Sequence, residues 1–593
     1  MYSKLKSLMS LNSSSIKGFA SAIPKSTRGP LKLDGLMPTG VDTYKQLELK
    51  AINQLQKISS PVDKYMFLSM LRNNNPSLFY RIVLDNIREV APIIYTPTIG
   101  HVCLAFSDLY PFMSPPGKVN GLYISLDQLD RIDEVIQNYK VAADSENNPP
   151  EISVITDGSR ILGLGDLGVN GMGIPIGKLQ LYVAGAGLNP KRCLPIVVDF
   201  GTDNEEFLKD PNYLGLRRKR PDDKTFYDGM EKVLSSLVKA FPKMFIQFED
   251  FSTDHAFGLL EKYRYKLTCF NDDIQGTGAV IMSGFMKAIS LSGIPAENHR
   301  ILFCGAGSAG IGVADKLIDC LVIYHGMTTE QARKLFWLVD SKGLITSNRG
   351  DKLSSHKEPY ARHDNGNAQC KDLLEAVNFV KPTVLIGLST VKGQFSNQIL
   401  TRLSEINSKN RPIVFPLSNP ETKAECTFEE AMVATQNRVL FASGTAFPPY
   451  KIPGTNDIRI PGQGNNMYVF PAIGLGAVLA KPKYITDTII CAVSKALSDS
   501  LTESEIEAGD LYPRIERLRE VSAELTAAFI HQSVAEGLAQ DTQWVERVKN
   551  SDTNGMLEKN KEKPTGYFSP DIVKAVKEQM WSPIDTIPLK SNI

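Results

Sequence analysis

The chain has 593 residues, of which 42% are hydrophobic and 22% are charged, and its formal net charge is +1. This length is too great for one ordinary core, and the balanced charge argues against a dedicated nucleic-acid surface. No apolar stretch reaches the roughly 18 residues that a membrane span needs, so we expect neither nucleic acid nor membrane as a partner. The eight cysteines contain no CxxC pair, which predicts neither a disulfide framework nor a zinc site.

Residues 1–33 differ in composition from the rest of the chain. They contain no Asp or Glu, but six basic residues and eight serines. This composition is typical of a mitochondrial transit peptide, and we therefore predict a location in the mitochondrial matrix. The alternative is a basic tail on a cytoplasmic protein.

The pattern of apolar residues predicts two kinds of domain in the first half of the chain. From about residue 43 to residue 88 the apolar residues recur at helical spacing, which predicts a helical N-terminal domain over 34–120. Short apolar strands then alternate with helices, which predicts an α/β domain with a largely parallel sheet over 121–271 and 465–536. The predicted strands are Gly121–Leu126, Ile152–Thr156, Leu194–Asp199 and Met244–Phe248.

A second α/β domain of the Rossmann-like, dinucleotide-binding kind is predicted over 272–464. Its helices are predicted at Ala279–Ser290 and Ile311–Tyr324. Its strands are predicted at Ile301–Cys304, Leu335–Val339, Thr383–Gly387, Pro412–Pro416 and Arg438–Ala442. The chain is expected to end in a helix over Ile515–Ala539 and a C-terminal extension over 537–593, whose charged part at 546–566 is predicted to be a linker.

Two segments match the glycine pattern GxGxxG. The first, Gly163–Gly168, is followed by Gly171, Gly173 and Pro175, which argues against a clean helix after it. We therefore interpret it as a tight turn with close backbone packing, not as a nucleotide site.

The second match stands between a predicted strand and a predicted helix, as dinucleotide binding requires. It consists of Gly305, Ala306, Gly307, Ser308, Ala309 and Gly310. Asp340 at the end of the next strand is the expected partner of the adenosine ribose. Ser341, Lys342 and Lys357 follow it and could hold a 2′-phosphate, which favours NADP and leaves NAD open.

Two acidic pairs are the strongest chemical signal. Glu249-Asp250 ends an apolar strand, and Asp272-Asp273 precedes an apolar helix. In an open α/β sheet the ligand crevice lies at the carboxyl ends of the strands, and clustered carboxylates there need a compensating charge. The pattern predicts a site for Mg²⁺ or Mn²⁺.

Three further residues are candidates for acid–base or carboxylate chemistry. Lys178 lies in an apolar, glycine-rich stretch, where burial would favour a neutral amine that can act as a general base. Arg160 is a candidate clamp for a carboxylate, and Tyr95 is a candidate proton donor.

Taken together, these segments resemble the malic enzyme family in its large eukaryotic form. The resemblance runs from about residue 45 to residue 540 in consistent order. The segments that carry it are Tyr95–Thr98, Asp157–Gly168, Phe248–Phe251, Phe270–Gly278, Gly305–Gly310, Leu417–Pro420 and Gly462–Asn466.

The resemblance implies metal-dependent oxidative decarboxylation of L-malate to pyruvate and CO₂ with reduction of NADP or NAD. It implies Glu249, Asp250 and Asp273 as metal ligands, Lys178 as general base and Tyr95 as general acid. Asp272 is expected to tune the charge around Lys178. The implied contacts to the malate carboxylates are Arg160, Asn419 and one of Asn465 and Asn466, and Asn419 is also assigned to the cofactor site.

Several expectations remain open at this stage. A homo-oligomer, dimer or tetramer, is expected from the family. Fumarate activation is doubtful, because the positions that carry arginines in fumarate-activated members read Asn53 and Asn74 here. The alternative functions are a non-oxidative, malolactic-type decarboxylase and a catalytically inactive NAD(P)-binding protein.

Overall fold

The computed structural model describes residues 20–30, 32–115 and 118–583. The described residues form two compact units, one comprising those up to Phe270 together with those from Glu578, the other comprising Asn271–Lys577. The mixed α/β class with a Rossmann-like sheet confirms the predicted fold class. The finer division into four domains stays a prediction.

The first unit opens with helices, as the apolar periodicity predicted. A capping box starts α2, because the Thr43 side chain accepts from the Gln46 N–H and the Gln46 side chain accepts from the Thr43 N–H. The opening helices are α1 Lys25–Arg28, α2 Tyr44–Lys57, α3 Pro61–Asn74, α4 Pro76–Asp85, α5 Ile87–Ile94, α6 Thr98–Leu104 and α7 Phe106–Met113.

A five-stranded sheet follows, in the order β1-β3-β2-β4-β5. Strand β3 pairs in parallel with β1 and β2, and β2 pairs in parallel with β4. The strands are β1 Leu122–Ser125, β2 Ile152–Thr156, β3 Cys193–Asp199, β4 Phe245–Phe248 and β5 Cys269–Asn271. The helices are α8 Ile132–Ala142, α9 Gly173–Ala186, α10 Glu205–Lys209, α11 Asp223–Ala240 and α12 Thr253–Tyr263. Every residue of α9 is buried, so this helix lies inside the unit.

The second unit contains a seven-stranded sheet in the order β14-β11-β10-β9-β6-β7-β8. Only β8 runs antiparallel to its neighbour, and the strand order reverses between β6 and β9. The strands are β6 Ile301–Cys304, β7 Phe336–Asp340, β8 Gly343–Leu344, β9 Val384–Gly387, β10 Ile413–Pro416, β11 Leu440–Ser443 and β14 Gly462–Gln463, and a separate hairpin pairs β12 Tyr450–Lys451 with β13 Ile458–Arg459.

Helices cover the sheet of the second unit and form a layer beyond it, in which α22 packs against α19 and α20. The helices that precede this layer in the sequence are α13 Thr277–Leu291, α14 Ser308–His325, α15 Thr329–Arg333, α16 Leu373–Val380, α17 Asn397–Ile406 and α18 Phe428–Ala434. The others are α19 Phe470–Ala480, α20 Asp487–Asp499, α21 Glu503–Ala508, α22 Leu518–Ala535, α23 Thr542–Ser551, α24 Met556–Glu562 and α25 Pro570–Gln579.

The prediction of a linker at 546–566 was wrong. This segment carries the end of α23 and all of α24, and both helices dock onto the second unit. Val548 is fully buried, and the carbonyl oxygen of the buried Asn560 accepts from Gln532 Nε2 at 3.0 Å. Because the polar residue Asn560 makes part of this contact, the low apolar content of the segment led to the wrong prediction of a linker.

The predicted transit peptide lies partly outside the described residues, which begin at residue 20. Within the described part, Ile23 is 1% exposed and Arg28 is 4% exposed. The Arg28 guanidinium donates to the carbonyl oxygens of Ile23, Pro38 and Gly40 at 3.0, 2.7 and 2.8 Å. Arg28 is therefore part of the folded first unit.

Among the residues described here, no single helix combines the length and apolar character that crossing a membrane requires. One sharply bent pair, Ile87–Leu104 with Phe106–Met113, meets that test by length and composition.

Candidate active site

Three carboxylates meet at the carboxyl edge of the five-stranded sheet. Glu249 and Asp250 follow β4 and are 2% and 6% exposed. Asp273 follows the neighbouring strand β5, in a π-helical turn over Asp272–Gly276. One carboxylate oxygen from each of Glu249, Asp250 and Asp273 lies within 4.8 Å of the other two. A hard divalent cation prefers oxygen ligands at such a spacing.

Asp250 is held in a strained backbone conformation. Its φ of 54° lies in the left-handed region that non-glycine residues seldom adopt. Its carbonyl oxygen accepts from the Arg160 N–H at 3.2 Å, and its Oδ2 accepts from the Leu162 N–H at 3.4 Å. Strain of this kind persists where surrounding contacts enforce it, and it concentrates at functional sites.

Lys178 is buried in α9, as its apolar surroundings in the sequence predicted, and its side chain is 4% exposed. Its Nζ lies 3.0 Å from Glu249 Oε1. The other carboxylate oxygen of Glu249 accepts from Gln247 Nε2 at 2.6 Å, and Tyr182 donates its hydroxyl to Gln247 Oε1. Burying an ion pair is costly unless further hydrogen bonds satisfy the charges, and Gln247 supplies one.

Tyr95 lies beside Lys178. It follows α5 and is 7% exposed, and the Lys178 ammonium lies 5.3 Å from the centre of its ring. A Cβ on Gly177 would come within 2.8 Å of the Tyr95 ring and 2.9 Å of the Ile94 carbonyl oxygen. Only glycine at position 177 therefore lets α9 approach Tyr95 this closely.

The first glycine segment forms a tight turn, as expected. A Cβ on Gly158 would lie 1.9 Å from the Gly168 carbonyl oxygen. The expectation that no helix follows was wrong, because a 3₁₀ turn over Gly168–Met172 leads directly into α9. Asp166 in this segment pairs with Arg220 at 2.7 Å.

Arg160 lies just outside this turn. Its side chain is exposed, and its Nη1 donates to Thr253 Oγ1. An exposed guanidinium with one hydroxyl partner keeps further donors available for a carboxylate.

In the second unit, the structure distinguishes Asn465 from Asn466. Asn465 Oδ1 accepts from the Met467 N–H at 3.0 Å and so caps a short 3₁₀ helix. Asn466 Nδ2 donates to Asp272 Oδ2 at 3.0 Å and to Thr277 Oγ1 at 3.1 Å. Asp272 itself is fully buried. Of the two asparagines, Asn466 is the one directed at the acidic segment.

The second glycine segment has the geometry of a dinucleotide turn. Gly305 has φ of 110°, and a Cβ there would lie 2.6 Å from the Leu388 carbonyl oxygen. A Cβ on Gly310 would lie 2.3 Å from the Gly305 carbonyl oxygen. Helix α14 begins at Ser308, so its amino end faces the turn and can receive an anionic group.

Asp340, at the end of β7, is held by two cations. Arg349 Nη1 lies 2.7 Å from Asp340 Oδ1, and Lys357 Nζ lies 2.8 Å from Asp340 Oδ2. Burial raises the pKa of Asp340, but the hydrogen bonds from Arg349 and Lys357 outweigh it and lower the pKa to about 2. Ser341 is exposed, and Lys342 Nζ pairs with Asp351 at 3.1 Å.

Sequence reasoning missed Gln247 and Arg349. A basic residue nine positions after a strand-end acid is a weak signal, although Arg349 turns out to be the principal partner of Asp340. Gln247 lies in strand β4, two positions before Glu249. A single amide side chain in an otherwise apolar strand is usually buried and hydrogen-bonded, and this signal could have identified it.

Comparison with known proteins places the chain in one family. The model of the malic enzyme N-terminal domain matches residues 72–264, and the model of the malic enzyme NAD-binding domain matches residues 274–535. The chain is 44% identical over 513 residues to an NADP-dependent malic enzyme of Dictyostelium discoideum, covering 86% of this chain and 91% of that one. It is 40% identical to an NADP-dependent malic enzyme of Rattus norvegicus, covering 86% of each chain, and 39% identical to one of Vitis vinifera, covering 86% and 83%. The chain belongs to the malic enzyme family.

Proposed function

We infer that this protein is a malic enzyme, which oxidises and decarboxylates L-malate to pyruvate and CO₂ while reducing a nicotinamide cofactor. The observation that carries this inference is the buried Lys178–Glu249 pair at the edge of the acidic cluster, in a chain whose second unit has a dinucleotide turn. Neither a malolactic-type decarboxylase nor an inactive binding protein is favoured by any contact described above.

We propose Glu249, Asp250 and Asp273 as the ligands of Mg²⁺ or Mn²⁺. The three side chains offer only hard oxygen donors, and their charges, two of them buried, would repel one another without a cation. When bound, the ion supplies Lewis-acid stabilisation of the negative charge that develops on the C2 oxygen. In Asp273→Asn, isothermal titration with Mn²⁺ should show at least tenfold weaker binding. Unchanged affinity would contradict the ligand assignment.

We propose Lys178 as the general base and Tyr95 as the general acid. Once deprotonated, the amine of Lys178 takes the hydroxyl proton of malate while the hydride leaves C2 for the nicotinamide. After CO₂ has left, the Tyr95 hydroxyl gives a proton to C3. Both side chains are buried and adjacent, which excludes competing water from the proton transfers.

Three side chains are proposed to hold the malate carboxylates. Arg160 offers an exposed guanidinium with free donors, and Asn419 and Asn465 offer amide donors. Asn466 Nδ2 already donates to Asp272 and Thr277, whereas only the Oδ1 of Asn465 is engaged, which favours Asn465 as the donor to malate. Asp272 orients the Asn466 amide and, in this proposal, tunes the charge at the proton-transfer site.

We propose NADP as the preferred cofactor. An Asp340 carboxylate already paired with Arg349 and Lys357 is a poor acceptor for a ribose hydroxyl, whereas the two cations can turn to a 2′-phosphate. The relatives named above are NADP-dependent. Initial rates with malate and Mn²⁺ should give a much higher kcat/KM with NADP than with NAD. A higher value with NAD would overturn the preference, and no reduction of either cofactor would overturn the function.

We propose a mitochondrial location from the composition of the N-terminal segment, and a homo-oligomer from exposed apolar side chains. The basic, serine-rich start of the chain supports import into the matrix, and Ile23 and Arg28 are buried in the first unit. Exposed Leu36, Phe112 and Val141 in the first unit support association with a second copy. Import into isolated mitochondria and light scattering of the purified protein test the two proposals.

A further inference from the structure

Glu425 is a fully buried acid that the proposed reaction does not use. It is 0% exposed and lies between β10 and α18. Its Oε1 accepts from the N–H and the hydroxyl of Ser389, both at 3.0 Å, and from the Ser418 hydroxyl at 2.5 Å. Its Oε2 accepts from the Ser418 N–H at 3.4 Å. Two loops of the second unit are thus tied to one carboxyl group.

The groups around Glu425 are arranged as donors to a carboxylate. The Ser389 hydroxyl oxygen accepts from the Val391 N–H at 3.3 Å, and the Ser418 hydroxyl oxygen accepts from the Thr390 N–H at 2.9 Å. Each hydroxyl therefore has its own proton free to donate to Glu425. Four donors are thus directed at the two carboxyl oxygens of Glu425.

No basic side chain pairs with Glu425 in the part of the chain that the structure describes. A buried carboxylate that is solvated only by neutral donors keeps its net charge, and burying it costs free energy. The Glu425 side chain packs directly against the backbone of Gly387. A Cβ on Gly387 would lie 2.4 Å from Glu425 Cδ, so only glycine fits at this position.

The two loops that carry Ser389 and Ser418 lie where the nicotinamide half of a dinucleotide is expected to bind. In a sheet of this topology the cofactor crosses the carboxyl edge at the reversal of strand order, here between β6 and β9. Asp340 at the end of β7 marks the adenosine half. The other half therefore faces the ends of β9 and β10, which are followed by Ser389 and by Ser418-Asn419.

A strained residue marks the same place. Thr390 has φ of 57°, a conformation that a β-branched residue rarely adopts. Its N–H is held by the Ser418 hydroxyl, which is itself held by Glu425. Strain enforced by a hydrogen-bond network is a mark of a functional loop.

We propose that Glu425 is a positioning residue for the nicotinamide half of the cofactor, and that its uncompensated charge favours the oxidised, positively charged ring over the reduced, neutral ring. The serine hydroxyls fix the two loops, and the carboxylate beneath them sets the electrostatic potential of the pocket. This inference rests on the proposed function in one respect, that the cofactor is NADP.

The decisive variant is Glu425→Gln, which keeps the shape of the side chain and removes the charge. The matched control is Glu429→Gln, which removes an exposed acid four residues away. Dissociation constants are measured for NADP⁺, NADPH and 2′-phospho-ADP-ribose, which lacks the nicotinamide. In Glu425→Gln the affinity for NADP⁺ relative to NADPH should fall roughly tenfold, the size of a charge interaction over about 12 Å at an effective dielectric near 20. Binding of 2′-phospho-ADP-ribose should stay within about twofold, because the adenosine half keeps its partners.

A purely structural role would change all three dissociation constants together, and that result overturns the inference. Identical ratios of NADP⁺ to NADPH affinity in Glu425→Gln and Glu429→Gln overturn it as well.

If Glu425→Gln does not fold, Ser418→Ala is the second variant, because it keeps the charge of Glu425 and removes the shortest hydrogen bond to it. This variant should keep the NADP⁺ to NADPH ratio and lose roughly tenfold or more in kcat through misplacement of the loop, and an unchanged kcat would contradict the positioning role. A wild-type protein without malate-dependent NADPH formation would remove the proposed function alone, since the binding comparison stands without turnover.

Discussion

At the scale of single residues, Lys178 combines burial with a charged partner, Glu249. Its Nζ lies 3.0 Å from Glu249 Oε1 and 5.3 Å from the centre of the Tyr95 ring, and both contacts help to orient it. A residue placed in this way should affect turnover far more than substrate binding.

Lys178→Ala should lower kcat by about 10²- to 10⁴-fold, as expected when a proton-transfer group is lost. The KM for malate should change much less. The control is Lys191→Ala, which removes an exposed lysine of the same unit. Steady-state kinetics with saturating NADP and Mn²⁺ make the comparison, and a near-wild-type kcat in Lys178→Ala would show that the base lies elsewhere.

Lys357→Gln tests the choice of cofactor. The variant removes the 2.8 Å bond to Asp340 Oδ2 and one of the cations available to a 2′-phosphate. The KM for NADP should rise by roughly tenfold, whereas the KM for NAD should change less than about twofold, since NAD carries no such phosphate. Lys352→Gln, an exposed lysine of the same loop, is the control. Equal changes for both cofactors would contradict the 2′-phosphate interpretation.

Sequence patterns could predict residues whose signal is local. Each of these residues lies in a short segment whose neighbouring residues already indicate its chemistry, as in the two acidic pairs, the buried lysine and the dinucleotide glycines. Arg349 was missed because a basic residue nine positions after an acid is a weak signal, and Glu425 was missed because one of its partners is distant in sequence. The ties from Glu425 to Ser389 span 36 positions, and only the parallel pairing of β9 with β10 brings the two loops together.

At the scale of elements, buried strands were predicted best. Strands β2 and β6 have the predicted bounds, because every residue in them is buried and the run of apolar residues ends where the strand ends. Helix α14 starts three residues before its predicted start, since the last part of the glycine segment already forms its first turn. Helices α23 and α24 were missed, because a mostly charged helix can dock through one buried residue.

Val548→Asp should release α23 from the second unit. Val548 is fully buried, and an ionised carboxylate has no partner there. Limited proteolysis should cut the chain after residue 540 much faster in this variant, and its melting temperature should fall by several degrees. Lys549→Asp places the same carboxylate on the exposed neighbouring position and should behave like the wild type. Equal resistance of both variants would show that α23 does not depend on Val548.

At the scale of the whole molecule, stability should depend on pH through a few buried groups. Burial lowers the pKa of His299 and of His531 to about 4. Both side chains are at most 1% exposed, so the folded state holds them neutral. A lowered histidine pKa stabilises the fold above the unfolded value of about 6.5, and this contribution is lost as the pH falls from 6.5 towards 4.

Asp510 acts in the opposite direction. Burial raises its pKa to about 6, so the fold favours its protonated form, and its contribution is lost as the pH rises from about 4 to 6. Two histidines outweigh one aspartate, and the net stability should therefore decrease between pH 7 and pH 5. Each histidine should account for about 2 kcal/mol at pH 5.

His531→Gln should reduce this acid sensitivity. The Nε2 of His531 accepts from the Ser569 N–H at 3.2 Å, and the side-chain oxygen of glutamine can accept in its place without binding a proton. The variant should lose less melting temperature than the wild type between pH 7 and pH 5, even where it is less stable at pH 7. His363→Gln, at an exposed position, should follow the wild type at both pH values. If the melting temperature of His531→Gln falls as much as that of the wild type, the acid sensitivity arises from other groups. The amide of glutamine binds no proton, so it cannot contribute to the pH dependence as the histidine does.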